Sequence, residues 1–265
     1  MNAMPPFSTA WQDIRTEAEH AIVAEPALTE LLRMAILVHG DLGSALAYRI
    51  GRNLANTPEQ AQTLAERFVV IHRQTPDLAN SAWADLDATT TRDPAFESKL
   101  EVFLFSKGFL ALQAYRLAHR LHGDGHRLLA MFIQSRCNER LAIDINPASR
   151  IGEGIMFDHG TGIVIGETAV IEDDVSILQG VTLGGTGKVC GDRHPKVRRG
   201  VMIGAGAKIL GNIEIAEGAK VGAGSVVLEP VEPHTTVVGN PARAVGKPRH
   251  PQPALDMDQT FDQDH

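Results

Sequence analysis

From Ile145 to about Val245 the chain repeats every six residues, and few folds tolerate that period. Ile165, Ile171, Ile177 and Leu183 fall six apart, and after an interruption so do Val197, Ile203, Ile209, Ile215, Val221 and Val227. Two positions earlier stand small or aliphatic residues: Ile163, Ala169, Val175 and Val181, then Val201, Ala207, Ile213 and Ala219. Six is neither the helical 3.6 nor the simple alternation of a half-buried sheet. It suits a parallel β-helix, in which each hexad supplies a short strand and a turn and three hexads close one coil. Glycines in Gly166-Glu167, Gly204-Ala205-Gly206 and Gly222-Ala223-Gly224 supply the corners, some of which need positive φ. The end coils of such a stack carry unpaired backbone groups and require caps. The flat sides favour packing against copies of the same chain, with trimer contacts the natural arrangement for a three-sided coil.

The first ~140 residues have a different period. Trp11, Ile14, Ala18, Ala21 and Ile22 keep helical spacing, as do Leu28, Leu31, Leu32, Ala35 and Ile36. Thr57-Pro58-Glu59-Gln60 is a helix start, with a capping threonine, proline at the first helical position and glutamine three residues on. Leu64, Phe68 and Ile71 give that helix its buried stripe. A longer amphipathic helix is expected from about Ala95 to His122, ending at Gly123-Asp124-Gly125, and another from His126 to Leu141. The expected architecture is therefore α+β: a helical domain over residues 1–143, a β-helix over 144–246, and a loosely ordered tail over 247–265. The helical domain can cap the first coil and the tail the last.

Composition narrows the function. A net charge of −7 with no sustained basic run argues against nucleic acid as a partner. No apolar run approaches the ~20 residues of a membrane span, and no basic-then-apolar leader pattern is seen, so the expected location is the cytoplasm. Cys137 and Cys190 form no disulfide framework; Cys137 reads as a core residue and Cys190 as a loop residue.

Leu183 to Val197 spans fourteen residues where twelve would keep the register, and the insert holds Asp192, Arg193 and His194 in a row. A loop extruded from a rigid coil is a usual place for function, although an ordinary solvated loop has the same look. A second cluster is Phe157-Asp158-His159-Gly160-Thr161-Gly162. A histidine at a solenoid corner is ordinarily a surface residue, but the flanking glycines open space beside this one. Asp144 enters at the first coil and could simply hold a turn.

These motifs carry a resemblance. Thr91-Arg-Asp-Pro-Ala95, Lys107-Gly-Phe109, Asp144-Ile-Asn-Pro-Ala148, Asp158-His-Gly-Thr-Gly162, Gly166-Glu-Thr-Ala169, Asp192-Arg-His-Pro-Lys196 and Gly204-Ala-Gly-Ala-Lys-Ile-Leu-Gly211 resemble those of the bacterial serine O-acetyltransferases. That family belongs to the hexapeptide acyltransferases, and the likeness covers essentially the whole chain. It implies a left-handed β-helix and a hexamer of two trimers joined through the helical domains. It also implies active sites between neighbouring β-helices. The implied reaction moves acetyl from acetyl-CoA, a co-substrate rather than a resident cofactor, to the hydroxyl of L-serine, with L-cysteine as feedback inhibitor.

Carried over residue by residue, the resemblance makes His159 the general base, oriented by Asp144. Asp93 and Asp158 would hold the ammonium of serine, and Arg193 and His194 its carboxylate. The pantetheine arm would lie near Gly185, Ala205 and Ala223. Arg243 and Lys247 would meet CoA phosphates or be plain solvated cations. Many members of the family end in an isoleucine that enters O-acetylserine sulfhydrylase; this chain ends Asp262-Gln263-Asp264-His265, which argues against that complex. Two other readings stay open. One is a hexapeptide acyltransferase for a different hydroxyl acceptor. The other is a metal-dependent lyase on the same solenoid, which needs three converging histidines; His159, His194 and His234 are the candidates.

Overall fold

The computed structural model describes residues 7–187 and 190–260. Eight helices come first: α1 (Phe7–Ala24), α2 (Thr29–Leu32), α3 (Leu42–Leu54), α4 (Pro58–Gln74), α5 (Pro76–Arg92), α6 (Lys99–Phe105), α7 (Lys107–Gly123) and α8 (Arg127–Leu141). The start of α4 is built as its sequence predicts. Thr57 Oγ1 accepts the Gln60 N–H at 3.2 Å, and Gln60 Oε1 accepts the Asn56 N–H at 2.7 Å. The helix expected over 95–122 is instead two. Ser106 leaves helical geometry, and its hydroxyl accepts the Phe109 N–H at 3.2 Å, which ends α6 and starts α7 within one residue. The stripe at Leu28–Ile36 also folds irregularly, as a 3₁₀ turn at Pro26–Leu28, then α2, then a π-helical turn at Arg33–Leu37.

From Asp144 the chain winds a parallel β-helix with three faces. Face A stacks Asp144–Ile145, Val164–Ile165, Thr182–Gly184, Lys208–Leu210 and Val226–Val227. Face B stacks Arg150–Ile151, Val170–Ile171, Lys196–Val197 and Glu214–Ile215. Face C stacks Met156–Asp158, Ser176–Leu178, Met202–Ile203, Lys220–Val221 and Thr236–Gly239, closed by an antiparallel strand, Ala242–Gly246. Both hexad positions point inward: Ile163, Val175, Ile177, Val181, Leu183, Val201 and Ile209 have no measurable exposure. Leu183 pairs within face A and Val197 within face B, so they are successive inward positions. The insert between them is thus eight residues rather than the two that register alone suggests, because no strand interrupts it among the described residues.

The open edge of the first coil is covered by α5 and α7, and the contact is polar. Arg116 donates to the carbonyls of Gly152 at 2.6 Å and Ile151 at 3.4 Å. Tyr115 Oη donates to Ser149 O at 2.6 Å, His119 Nδ1 to Pro147 O at 2.7 Å, and Arg92 to Gly154 O at 2.9 Å. Asp85, fully buried, accepts from Arg116 at 2.7 and 2.8 Å, from Gln113 at 2.9 Å and from the Ile155 N–H at 3.0 Å. Side chains thus satisfy backbone groups that a preceding coil would otherwise pair. Burial pushes the Tyr115 hydroxyl up to about 12, so it stays a donor.

The segment after Lys247, expected to be loose, is docked as far as it is described. A single turn, α9 (Pro253–Asp256), buries Ala254 against Leu178 and Met202 on face C. Ser176 Oγ donates to Ala254 O at 2.8 Å, and Lys220 Nζ to Thr260 O at 2.7 Å. The segment therefore runs back along face C and does not cover the last coil. The richness in Pro, Asp and Gln suggested a loose segment, but a small apolar residue at the right place suffices to seat the turn. The terminal Asp262–His265 lies outside the described residues.

Candidate active site

Two clusters of functional side chains form at opposite edges of face A. The first is the corner between faces C and A in coil one. Phe157 and Ile165 are successive inward positions eight residues apart, against six for Ile177 and Leu183 one coil later. The two extra residues place His159 on a bulge with φ of 54°, in the left-handed region, followed by Gly160 and Gly162 at 77° and 78°. A side chain held there costs of order 1–3 kcal/mol and must be fixed by its surroundings. The fixing contacts are local. Gly160 N–H donates to Asp158 O at 2.5 Å, Gly162 N–H to Ala142 O at 2.6 Å, and the Lys107 ammonium to the Thr161 hydroxyl. Helix α7 comes so close that a Cβ on Gly108 would sit 2.1 Å from Phe157 O.

On this bulge the imidazole is 74% exposed, its Nε2 3.8 Å from Asp158 Oδ1. Asp158 is mostly buried, and burial raises its carboxyl above the usual range. His159 counters that rise, while the nearby charge of Asp93 adds to it. Asp93 ends α5, and its Oδ1 accepts the Ala95 N–H at 2.9 Å. Two carboxylates whose charges oppose each other at one corner form a receptor for a cation. The structure therefore brings Asp93, Asp158 and His159 together. Asp144 stands beside them through its backbone, donating its N–H to Ile163 O at 2.9 Å. Its carboxylate accepts from Gln134 Nε2 at 2.7 Å and is not hydrogen-bonded to His159.

The second cluster is the corner between faces A and B, where the inserted loop returns. Its hub is Thr168. The Thr168 Oγ1 accepts the N–H groups of Arg193 at 3.0 Å and His194 at 3.2 Å, and lies 2.8 Å from His194 Nδ1. The Thr168 N–H also donates to that Nδ1 at 3.2 Å. Because Nδ1 accepts, neutral His194 carries its proton on Nε2 and presents a donor. Burial, then the Arg193 charge, lowers the imidazole's affinity for a second proton. The ring lies over Gly166, where a Cβ would come within 2.1 Å of Nε2. Arg193 reaches Glu167 at 2.7 Å, and Lys196 ties the loop back through Asp192 at 2.6 Å and His194 O at 2.7 Å. Lys107, Gly166 and Thr168 stood in the sequence within the motifs of the resemblance, and no role at the site was assigned to them. The eight-residue step from Phe157 to Ile165 was a legible signal for the first corner.

The proposed acetyl-CoA contacts divide in the same way. Ala205 and Ala223 stack at the C-to-A corner, where a Cβ on Gly204 would stand 2.6 Å from the Ala223 nitrogen. Gly185 lies at the A-to-B corner, under the Arg193 side chain. Arg243 is exposed and donates to its own neighbour Ala242 O at 2.9 Å; Lys247 is exposed as well. Each coil side is six residues, so the two corners stand up to about 20 Å apart. His159, His194 and His234 occupy three different corners and cannot converge within one chain, and no metal-holding group of three is found among the described residues. The donor set therefore does not fit a zinc site in one chain.

Known proteins bear on this geometry. A profile described as Serine acetyltransferase, N-terminal, matches residues 10–114, and one described as Bacterial transferase hexapeptide (six repeats) matches residues 194–229. The serine acetyltransferase of Salmonella typhimurium is 54% identical over 255 residues, covering 96% of this chain and 93% of its own. The chain belongs to the serine acetyltransferase family. A solved serine acetyltransferase in complex with cysteine matches with a TM-score of 0.92 at 50% identity, covering 95% of this chain and 98% of that one. The soybean enzyme complexed with serine matches at 0.88 and 51%, covering 92% and 100%. The Brucella abortus enzyme in complex with coenzyme A matches at 0.87 and 47%, covering 89% and 95%.

Proposed function

We propose that this chain transfers acetyl from acetyl-CoA to the hydroxyl of L-serine at a site shared by two copies. One copy contributes Asp93, Asp158 and His159, and its neighbour contributes Arg193 and His194. The observation that carries the reading is the split of these groups between opposite edges of face A. An amino acid needs partners for both its charges; the carboxylate pair Asp93 and Asp158 stands at one corner, and Arg193 with the His194 donor stands at the other. Family membership and the solved relatives bound to serine, cysteine and coenzyme A support the choice of ligands.

In this site the paired carboxylates take the ammonium, and the Arg193 guanidinium with the His194 Nε2–H takes the carboxylate. The serine hydroxyl then faces His159. As its oxygen attacks the thioester carbonyl, the imidazole removes its proton, which a positioned base accelerates by about 10²–10⁴. The tetrahedral intermediate collapses by breaking the C–S bond, and the imidazolium returns the proton to the departing thiolate. Asp144, placed at the exit of the His159 bulge, is the carboxylate available to the second imidazole nitrogen. Backbone amides at the Ala205 and Ala223 corner and at Gly185 of the neighbour receive the pantetheine arm. Arg243 and Lys247 are the cations within this chain's last turns that can meet phosphates.

Cysteine carries the same ammonium and carboxylate as serine, so it competes for the same clamps and inhibits. The assembly is a homo-oligomer whose smallest competent unit pairs two face-A edges; two trimers joined through the helical domains satisfy that need. The enzyme works in the cytoplasm, consistent with the absence, among the described residues, of any helix long and apolar enough to cross a membrane. The direct test is His159→Ala in protein of unchanged oligomeric state, followed by thiol release from acetyl-CoA. Turnover should fall at least 100-fold; near-unchanged turnover would remove the proposed base.

A further inference from the structure

The serine half-site rests on Asp93, the residue that caps the C-terminal end of a helix, and something must hold that end against the coils. We infer that Arg92 and Ser176 are positioning residues for serine binding, a single buried hydrogen-bonded bolt between the end of α5 and the first two coils. The inference rests on Asp93 being a serine ligand, as proposed above.

Arg92 is the last residue of α5, adjacent to Asp93, and is 8% exposed. Its guanidinium reaches two coils at once. Nη1 donates to Gly154 O in coil one at 2.9 Å and to Ser176 Oγ in coil two at 3.2 Å. Nη2 meets Asp174 Oδ1, also in coil two, at 3.4 Å. Asp174 is itself in the left-handed region at φ of 59° and is held from the other side by Arg199 at 3.1 Å. Ser176 is completely buried, and it passes its own proton on to Ala254 O of the docked C-terminal turn at 2.8 Å. Arg92, Ser176 and the Ala254 carbonyl thus form one continuous line of hydrogen bonds.

The geometry matters because Asp93 and Asp158 stand on different parts of the molecule. Asp158 belongs to face C of coil one, while Asp93 is brought in from the helical domain. Their separation sets how well one ammonium can touch both carboxylates. The backbone of Asp93 is anchored only through its own turn, by its N–H to Thr89 O at 3.0 Å and by Phe96 N–H to its carbonyl at 3.2 Å. Arg92 is the neighbouring side chain that fastens that turn to the coils. Three donors fanned across two coils fix a direction, which a lysine's single ammonium cannot reproduce.

The test uses the full-length oligomer with Arg92→Lys, Ser176→Ala and Asp93→Asn, measuring serine and acetyl-CoA kinetics separately. Arg92→Lys should raise the serine KM about tenfold, and Ser176→Ala about threefold, with the acetyl-CoA KM and kcat within about twofold. Neither should add to the serine KM in an Asp93→Asn background, since the loss then has no ligand to act through. If Asp93→Asn raises the serine KM and the other two do not, the bolt is wrong and the serine site stands. If Asp93→Asn itself leaves the serine KM unchanged, the serine-site reading fails instead. Equal changes in both KM values and kcat, tracking a fall in Tm, would mark Arg92 as mere scaffolding and overturn the inference.

Discussion

Two inactive variants should make an active enzyme when they share an oligomer. His159→Ala removes the base from the C-to-A edge of face A, and Arg193→Ala removes the guanidinium from the A-to-B edge. Each alone should be nearly dead. Loss of the base costs about 10²–10⁴ in turnover, and loss of a charged fork on a carboxylate about 100-fold in kcat/KM for serine. In an equal mixture, a site is intact when its first edge comes from an Arg193→Ala copy and its second from a His159→Ala copy. Random pairing gives that combination at about a quarter of the interfaces. Each variant carries a different affinity tag, the pair is co-expressed, and doubly tagged oligomers are isolated. Thiol release at low serine should then recover to about a quarter of wild type, more than tenfold above either parent. Recovery no greater than the average of the parents, in verified mixed oligomers, would refute the shared site, because a site drawn from one chain can never be rebuilt by mixing.

Other outcomes follow from single contacts. Gly166→Ala puts a methyl where the buried His194 ring lies, so the serine KM should rise at least tenfold and stability should fall by about 1–3 kcal/mol, read by kinetics and melting curves. Asp85→Ala leaves Arg116 buried without its partner and should cost about 3–5 kcal/mol, read by denaturant unfolding, with the helical domain loosening from the coils. His72 is buried in α4 with no hydrogen-bond partner on either ring nitrogen among the described residues, and burial lowers it from 6.5 to about 4. A lowered histidine binds protons better when unfolded, so its effect is absent above pH 6.5 and costs stability as pH falls towards 4. The full cost is about 3 kcal/mol, and His72→Leu should flatten that part of the stability profile in pH-dependent melts.

Much of this fold was legible because burial in a solenoid is strictly periodic. The inward ladder from Ile165 to Val227 is the same in sequence and in space. What escaped was whatever departs from the period. The bulge at His159 adds two residues, but a register counted from Ile165 begins just after it. The Leu183–Val197 insert of eight residues shifts the register by only two, because six of the eight equal one whole hexad, so its true length was hidden. The polar seam of Asp85, Arg116 and Arg92 lies outside any apolar pattern, since its residues are buried for their hydrogen bonds. Thr168 stood only inside a motif of the resemblance, and its contacts to Arg193 and His194 show that it sets their geometry. The split of the site between two edges could not be read from spacing at all; it came from the resemblance, and the arrangement of the three faces gives it a physical basis.

The two-residue bulge that carries His159 occurs in the coil seated directly on the helices. The proposed ammonium ligands and base, Asp93, Asp158 and His159, are therefore referenced to the rigid foot of the column, and the opposite end is left free. Whole rungs could be gained or lost beyond Val227 without moving the reacting atoms, altering only how far the long nucleotide handle of the acyl donor is supported. Column height and chemistry are in this sense separate inheritable traits of one polypeptide.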